Sequence, residues 1–372
     1  MNRRAGLVRA HRWASLVAAL LWSVQASTGI FAVFHWELDD ATVAGEARAL
    51  DLEAIERRAM ALAAPGQGLS VDSIWTSAGA ANRFDIFLDA QPPAKGQVVR
   101  VDGTGNILRV RADGERRTNG GWVETLVVLH QSLLAGDAGR WIIGGSGILL
   151  LANIVAGALL ARPRAGQWRR ALLPRAAPAG APRLYAWHRA IGLWAMLPAA
   201  CVVCAGVLLA FEATTEQIVA ASAVEPPALL LPAGTAPRVG LAESVRTALA
   251  RYPGAVVSGI GFPSAESAWW AVRLRQPGEW RRAYGKTRVF VSALDGSVGA
   301  DFDALAAPPG RRFLDSLFAF HSGEMGGLAG RLGAAGVGLW LVAMNVLGLR
   351  LWAARRKGRR GRALGPNRPP PA

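Results

Sequence analysis

Apolar residues are unevenly spread along this chain. Four long runs of them alternate with segments that carry most of the polar positions. A bilayer core of about 30 Å is spanned by about 20 apolar helical residues. Each of the four runs reaches that length: 13–34 (WASLVAALLWSVQASTGIFAVF), 141–161 (WIIGGSGILLLANIVAGALLA), 185–211 (containing LWAMLPAACVVCAGVLLAF) and 332–352 (LGAAGVGLWLVAMNVLGLRLW). Gly and Ser recur inside the runs, as close helix contacts in lipid favour. Trp13, Trp36, Trp141, Trp187 and Trp352 fall near their ends, where an aromatic belt would sit. The pattern predicts an α-helical integral membrane protein with four transmembrane helices.

The two long segments between runs, 35–140 and 212–331, follow other periods. LDLEAIERRAMALAA and LAESVRTALARY repeat their apolar residues at helical spacing. LSVDSIW, NRFDIFLD and GQVVRVDGTGNILRVRA read as strands in the first segment, with Asp102-Gly103 and Thr104-Gly105 as turns. AVVSGIGF, SAWWAVRLR and TRVFVSALDGSVGA read as strands in the second, with Asp295-Gly296 as a turn. Each segment is expected to form one helix on a small antiparallel sheet, an α+β unit. Neither holds a nucleophile elbow, a phosphate loop or a zinc motif, so no catalytic residue is assigned.

Charge then orients the chain. The net charge is +16, yet residues 1–12, 162–189 and 350–372 contain Lys or Arg and no acid, and all 26 Asp and Glu fall in 35–140 and 212–331. By the positive-inside rule the basic segments are cytoplasmic and the two long loops lie outside. The N-terminus (1–12), the basic loop (162–184) and the tail (353–372) are then cytoplasmic. The excess charge is thus a topology signal directed at anionic lipid, not at nucleic acid. The end, GPNRPPPA, has a disordered composition. Residues 1–27 also have the plan of a cleavable leader, ending in VQAS. Continuation of the run through GIFAVF favours a retained helix. Cys201 and Cys204 lie inside an apolar run and are read as small packing residues.

The chain also repeats itself. His11-Arg12 aligns with His188-Arg189; eighteen residues on, Gly29 meets Gly206, and twenty-three on, Phe34 meets Phe211. VVLHQSLLAGDAGR aligns with FAFHSGEMGGLAGR: His130 meets His321, Arg140 meets Arg331, and Gly147 meets Gly338. Each half is span, outside domain, histidine turn, span. Both halves cross in the same direction, which makes the repeat parallel.

The five histidines are His11, His35, His130, His188 and His321, all at the margins of the spans. Titratable groups near the membrane are costly and usually functional. His11 and His188 fall at the cytoplasmic ends of spans one and three, and His130 and His321 lie before spans two and four. Paired imidazoles from separate helices are one way in which a bundle holds a b-type haem. A c-type attachment needs CxxCH, which is absent. A zinc site needs further ligands. A plain helix-end hydrogen bond is the bland alternative for any single histidine, but two repeat-related pairs, one at each face, would form an electron path. His35 has no histidine counterpart. Glu212 takes its place, both lying 24 residues after the His-Arg pair. A substitute ligand, a proton-coupled group and a helix terminus are all open for it.

The pieces AHRWASLVAALLWSVQASTGIFAVF, WHRAIGLWAMLPAACVVCAGVLLAF and FAFHSGEMGGLAGRLGAAGVGLWLVAMNVLGLRLWAARR resemble the PepSY-associated transmembrane family, which includes iron-regulated inner-membrane proteins and ferric-siderophore reductases. The family's opening is present as His11-Arg12 and Thr28-Gly29; in the second copy Cys204-Ala205-Gly206 replaces the Thr-Gly. The Thr-Gly-then-Trp ending of spans two and four is altered to NIVAGALLARPR and NVLGLRLWAARR. The resemblance implies PepSY-like periplasmic domains and a haem-b inner-membrane reductase with two haems. Electrons would pass from a quinol or a cytoplasmic donor to Fe(III) in a periplasmic siderophore. By position, His11 and His188 would hold the cytoplasmic-side haem, and His130 and His321 the periplasmic-side haem, with His35 as a competing ligand. A different implication is a non-catalytic membrane protein that regulates a periplasmic protease or assists siderophore uptake. Arg281, Arg282, Lys286 and Arg288 cluster near two strands. A solvated strand face is the expected reading, and attraction of an anionic chelate the alternative.

Overall fold

A computed structural model describes residues 3–46, 48–64, 66–174, 179–221, 225–231 and 237–363. The proline-rich end expected to be disordered, 364–372, lies outside the described residues, as does 175–178 of the basic loop. In the first half the elements are α1 (Arg3–Ala32), α2 (His35–Asp40), α3 (Leu52–Leu62), β1 (Leu69–Thr76), β2 (Arg83–Ala90), β3 (Gln97–Asp102), β4 (Ile107–Ala112), α4 (Gly121–Ser132) and α5 (Gly136–Ala161). There follow α6 (Trp168–Leu172), α7 (Ala181–Ala210), α8 (Glu212–Ile218), α9 (Leu241–Arg251), β5 (Val256–Gly261), β6 (Trp269–Arg275), β7 (Thr287–Ser292), β8 (Val298–Phe302), α10 (Pro309–His321) and α11 (Gly327–Ala363), with a 3-10 turn at Glu324–Gly326. They form two compact units.

The helical unit comprises Met1–Val33, Leu129–Phe211 and Leu332–Ala372. Among the described residues four helices are long and apolar enough to cross a membrane, and they supply this unit. Ala18 and Trp22 of α1 meet Leu150 and Ile154 of α5, Val203 of α7 and Leu341 of α11 in one cluster. Polar tips tie the helices where lipid offers no partner. Trp22 Nε1 donates to the Ser146 carbonyl at 3.3 Å, Trp340 Nε1 to the Ile191 carbonyl at 2.8 Å, and Asn345 Nδ2 to Ser23 Oγ at 3.1 Å. Each satisfies a donor that would cost free energy in hydrocarbon. Cys201 and Cys204 are free thiols on the exposed side of α7. The expected packing role is corrected: helix contacts are made by other faces of α7.

The second unit comprises Phe34–Val128 and Glu212–Arg331. The strands arise where period-two alternation foretold them, but not as two separate sheets. One antiparallel eight-stranded sheet runs β4-β3-β2-β1-β5-β6-β7-β8. The seam is β1 against β5, through Ser73↔Gly261, Ile74↔Ile260 and Trp75↔Gly259. Two four-stranded sheets would each leave this edge unpaired, and exposed edges invite association; here each edge closes the other. Helices α3 and α9 cover one face. Ile55, Ala59, Leu241, Val245 and Ala248 pack there against Ile74, Ile86, Val99, Ile260, Val272 and Val289. Asp51 caps α3 by accepting from Ala54 N at 2.9 Å. The start of α9 is capped from α3, where Glu56 accepts from Leu241 N at 2.8 Å. An acid at a helix N-terminus satisfies orphan donors and the helix dipole together.

Candidate functional site

The site lies in the helical unit, near the N-terminal ends of α1 and α7. His11 and His188 face each other there, ring centroids 6.4 Å apart and planes inclined at 65°. A cavity of about 580 Å³ opens between them, within the 300–1,000 Å³ usual for ligand sites. Its walls are largely apolar, with Trp22, Leu193 and Met344 among them, and Arg4, Arg12, Arg189 and Arg355 also reach it.

Each ring is held differently. His11 Nδ1 donates to the Asn153 carbonyl of α5 at 3.1 Å. That bond fixes the tautomer and leaves Nε2 unprotonated, the arrangement usual for a metal-bound imidazole. Asn153 is held in turn, its Nδ2 donating to Ser15 Oγ at 3.0 Å. The His188 Nδ1 is buried with no hydrogen-bond partner. A buried polar atom left unpaired costs about 1–3 kcal/mol. Gly157 leaves room for one ring: a Cβ there would lie a tight 3.1 Å from His11 Cε1, whereas one on Gly348 would lie at an ordinary contact distance of 3.6 Å from His188 Cε1.

At the other end of α1, His130 repeats the His11 arrangement. Its Nδ1 donates to the Gln25 carbonyl at 3.1 Å, and Gln25 Nε2 donates back to the His130 carbonyl at 3.0 Å. A Cβ on Gly29 would lie 2.9 Å from His130 Cε1, so only glycine admits the ring there. Gly29 is eighteen residues beyond His11, about 27 Å along the helix at 1.5 Å per residue.

The remaining candidates are in the sheet unit. His321 closes α10, and His35 opens α2 with its ring 4.8 Å from that of Trp36. Glu212 is the exposed first residue of α8, a position that suits an acid at a helix start. Among the described residues no group of three or more His, Cys, Asp or Glu could hold a metal ion. What the helical unit offers is a two-imidazole site, which suits a metal whose other ligands come from a macrocycle. Asn153, Gly157 and Gly348 were not legible as site residues. An asparagine inside an apolar span was the one available signal, since such residues are rare and functional in lipid.

The basic run is also relocated. Arg281 and Lys286 keep only 12% and 23% of their side-chain surface exposed, so the expected solvated strand face is corrected. Packing of the 276–286 segment against the sheet withdraws both from solvent.

A family model described as the PepSY-associated TM region matches residues 8–355, and the chain belongs to that family. No curated protein matches the sequence.

Proposed function

We propose that this member of the PepSY-associated transmembrane family is a haem-b reductase of the bacterial inner membrane. It would carry electrons outward to a periplasmic ferric siderophore or other Fe(III) chelate for iron acquisition. The observation that carries the reading is the facing pair His11 and His188 in one cavity. Two imidazoles that share one metal ion through bonds of about 2.0–2.1 Å have ring centroids about 6–6.5 Å apart. Here the separation is 6.4 Å. The His11 ring fixed through Nδ1 and the room that Gly157 leaves beside it support these two residues as the ones that would hold such a group.

In this reading His11 and His188 hold the inner group, and Asn153 orients His11. The cations Arg4, Arg12, Arg189 and Arg355 line the cavity and would neutralise the carboxylates of a bound haem. The apolar walls exclude water and lower the local dielectric, which tunes potential. Bound haem supplies one-electron chemistry that no side chain here provides. His130, held like His11 and about 27 Å along α1, supports an outer site. The sequence offsets pair it with His321, and His35 is the competing ligand. The fit of the chain to two parallel copies is supported by the strand order, which is symmetric about the β1–β5 seam. Periplasmic placement of the sheet unit and cytoplasmic termini rest on the charge asymmetry. A quinol or a cytoplasmic donor would supply the electrons.

The test is a reduced-minus-oxidised spectrum of the purified protein, with haem counted by extraction. We expect b-type Soret and α bands, loss of about half the haem in His11→Ala or His188→Ala, and loss of the other half in His130→Ala. Absence of these bands after expression with ample haem precursor would overturn the reading.

A further inference from the structure

The face of the sheet opposite α3 and α9 carries a single row of side chains across the seam. Register places Arg100 opposite Asp85, Asp85 opposite Trp75, Trp75 opposite Gly259, Gly259 opposite Arg273, and Arg273 opposite Arg288. Gly259 leaves room for the indole, since a Cβ there would lie 2.5 Å from the Trp75 ring. The Arg273 guanidinium stacks on that ring at 5.0 Å from its centroid. A pocket of about 370 Å³ opens above this row, lined by Trp75, Asp85, Phe87, Arg273, Arg281, Tyr284 and Lys286.

The charges in this pocket do not balance. Asp85 is its one lining acid, and both its oxygens are taken by Arg100, at 2.8 and 2.7 Å. Arg273 makes no ion pair among the described residues, and it faces Arg288 across the ladder, a repulsive pairing. Lys286 lies 3.5 Å from Asp315, but Arg311 already holds that carboxylate by two hydrogen bonds of 3.1 and 2.9 Å. Arg281 Nε lies 3.3 Å from Glu324 yet makes no hydrogen bond, while Glu324 accepts from Arg282 N at 3.0 Å. Burial, then the nearby Arg288 and Arg281, push the Arg273 guanidinium down to about 10, against the pull of Asp315 and Glu279. Burial also lowers Lys286, against the pull of Asp315.

The cations are fixed in place. Glu279 accepts from Gln276 N at 2.9 Å, Lys286 N at 2.5 Å and Thr287 Oγ1 at 2.9 Å, closing the segment that carries Arg281. Tyr284 is set edge-on to both Trp36 and Trp75, and its hydroxyl donates to the Thr76 carbonyl at 3.0 Å. A pre-formed, partly buried group of cations whose acids are shared, or absent as at Arg273, destabilises the fold that holds it unless something of opposite charge enters.

We propose that this pocket binds a small organic polyanion through its carboxylates, with Arg273, Arg281 and Lys286 as the ligand-binding cations and Trp75 and Tyr284 as walls. Read together with the reductase function proposed above, on which this last step alone rests, the pocket selects anionic Fe(III) chelates over cationic ones.

The experiment is equilibrium dialysis of the full-length protein in detergent against radiolabelled, iron-free citrate at low ionic strength, with the haem spectrum recorded on the same sample. We expect saturable binding that weakens at least about tenfold in Arg273→Met and in Lys286→Met, because each removes a desolvated charge partner. Arg246→Met should bind as wild type, since Arg246 pairs with Glu53 at the helix-covered side. Arg273→Met should also unfold at the same temperature as the citrate-free wild type or higher, which a merely structural arginine would not do. No binding at about 1 mM citrate, equal binding by the Met variants, or a lower unfolding temperature in Arg273→Met would each overturn the proposal. Citrate binding without haem bands keeps this proposal and removes the reductase reading. Haem bands without citrate binding do the reverse.

Discussion

Replacing Arg100 with Met separates a buried ion network from a decorative one. The Arg100 side chain is only 4% exposed and reaches three carboxylates: Asp39 at 2.7 Å, Asp40 at 3.0 Å and Asp85 at 2.7 Å. After the substitution Asp39 keeps Arg109 at 2.8 Å and Asp40 keeps the longer Arg83 contact at 3.5 Å. Asp85, whose side chain is 14% exposed, loses its one ion-pair partner among the described residues. Removing one partner of a buried pair costs about 3–5 kcal/mol, chiefly because the other charge stays desolvated. In a folding unit of 150–250 residues each kcal/mol moves the midpoint by about 2–4 °C, giving a fall of about 6–20 °C. The assay is thermal unfolding in detergent followed by tryptophan fluorescence. Arg246→Met is the control, because its pair with Glu53 is 62% and 53% exposed and solvent screens such a pair. Arg100→Met combined with Asp85→Leu should recover about half the loss, since the stranded charge is gone. The freed Asp85 would also face the cationic pocket and weaken citrate binding. A midpoint within about 2 °C of wild type in Arg100→Met would show that the guanidinium is not desolvated, and the reasoning about the sheet's polar face would fail.

Two further outcomes follow from the geometry. Gly157→Leu places bulk against His11 and should remove about half the haem counted by extraction, while Gly145→Leu on the same helix, with nothing within 4 Å of its Cβ, should keep it; equal haem in both would refute the cavity's role. Acid should unfold the sheet unit selectively: for Asp39, burial is outweighed by Arg109 and Arg100, and for Glu37, burial is outweighed by its helix-start backbone hydrogen bond, Arg282 and Arg331, so both carboxyls lie below their ordinary values. Their contribution is then complete above the ordinary carboxylate range and lost as pH falls through it, so the midpoint should hold from pH 7 to about 5 and drop below about pH 4; an unchanged midpoint at about pH 3 would show that these ion pairs contribute nothing.

Much of the fold was legible because its signals are local. Apolar run length marks a helix that can cross a bilayer, whatever it packs against. Alternation in LSVDSIW and SAWWAVRLR marks strands with one buried face. The His-Arg and Thr-Gly spacings drew attention to His11, His188 and His130 before any contact was known. The acid-free segments carry the proposed orientation relative to a membrane, on which no contact within the chain bears.

Tertiary structure decided the rest, because the deciding contacts join residues far apart in sequence. Nothing local in Ser73–Trp75 or Gly259–Gly261 names the other as partner, so fusion of two expected sheets into one appeared only in three dimensions. The same is true of Asn153, which orients His11 across 142 positions, and of Gly157, which leaves room for that ring. The basic run around Arg281 read as a water-facing stripe because sequence records charge and not desolvation. Only the packed segment over the seam showed that Asp315 is held by Arg311 and Glu324 by the Arg282 backbone, and that Arg273 makes no ion pair among the described residues. Hydropathy and period are properties of a stretch of chain. Charge balance in a pocket belongs to surfaces brought together, and it exists only once the β1–β5 register is set.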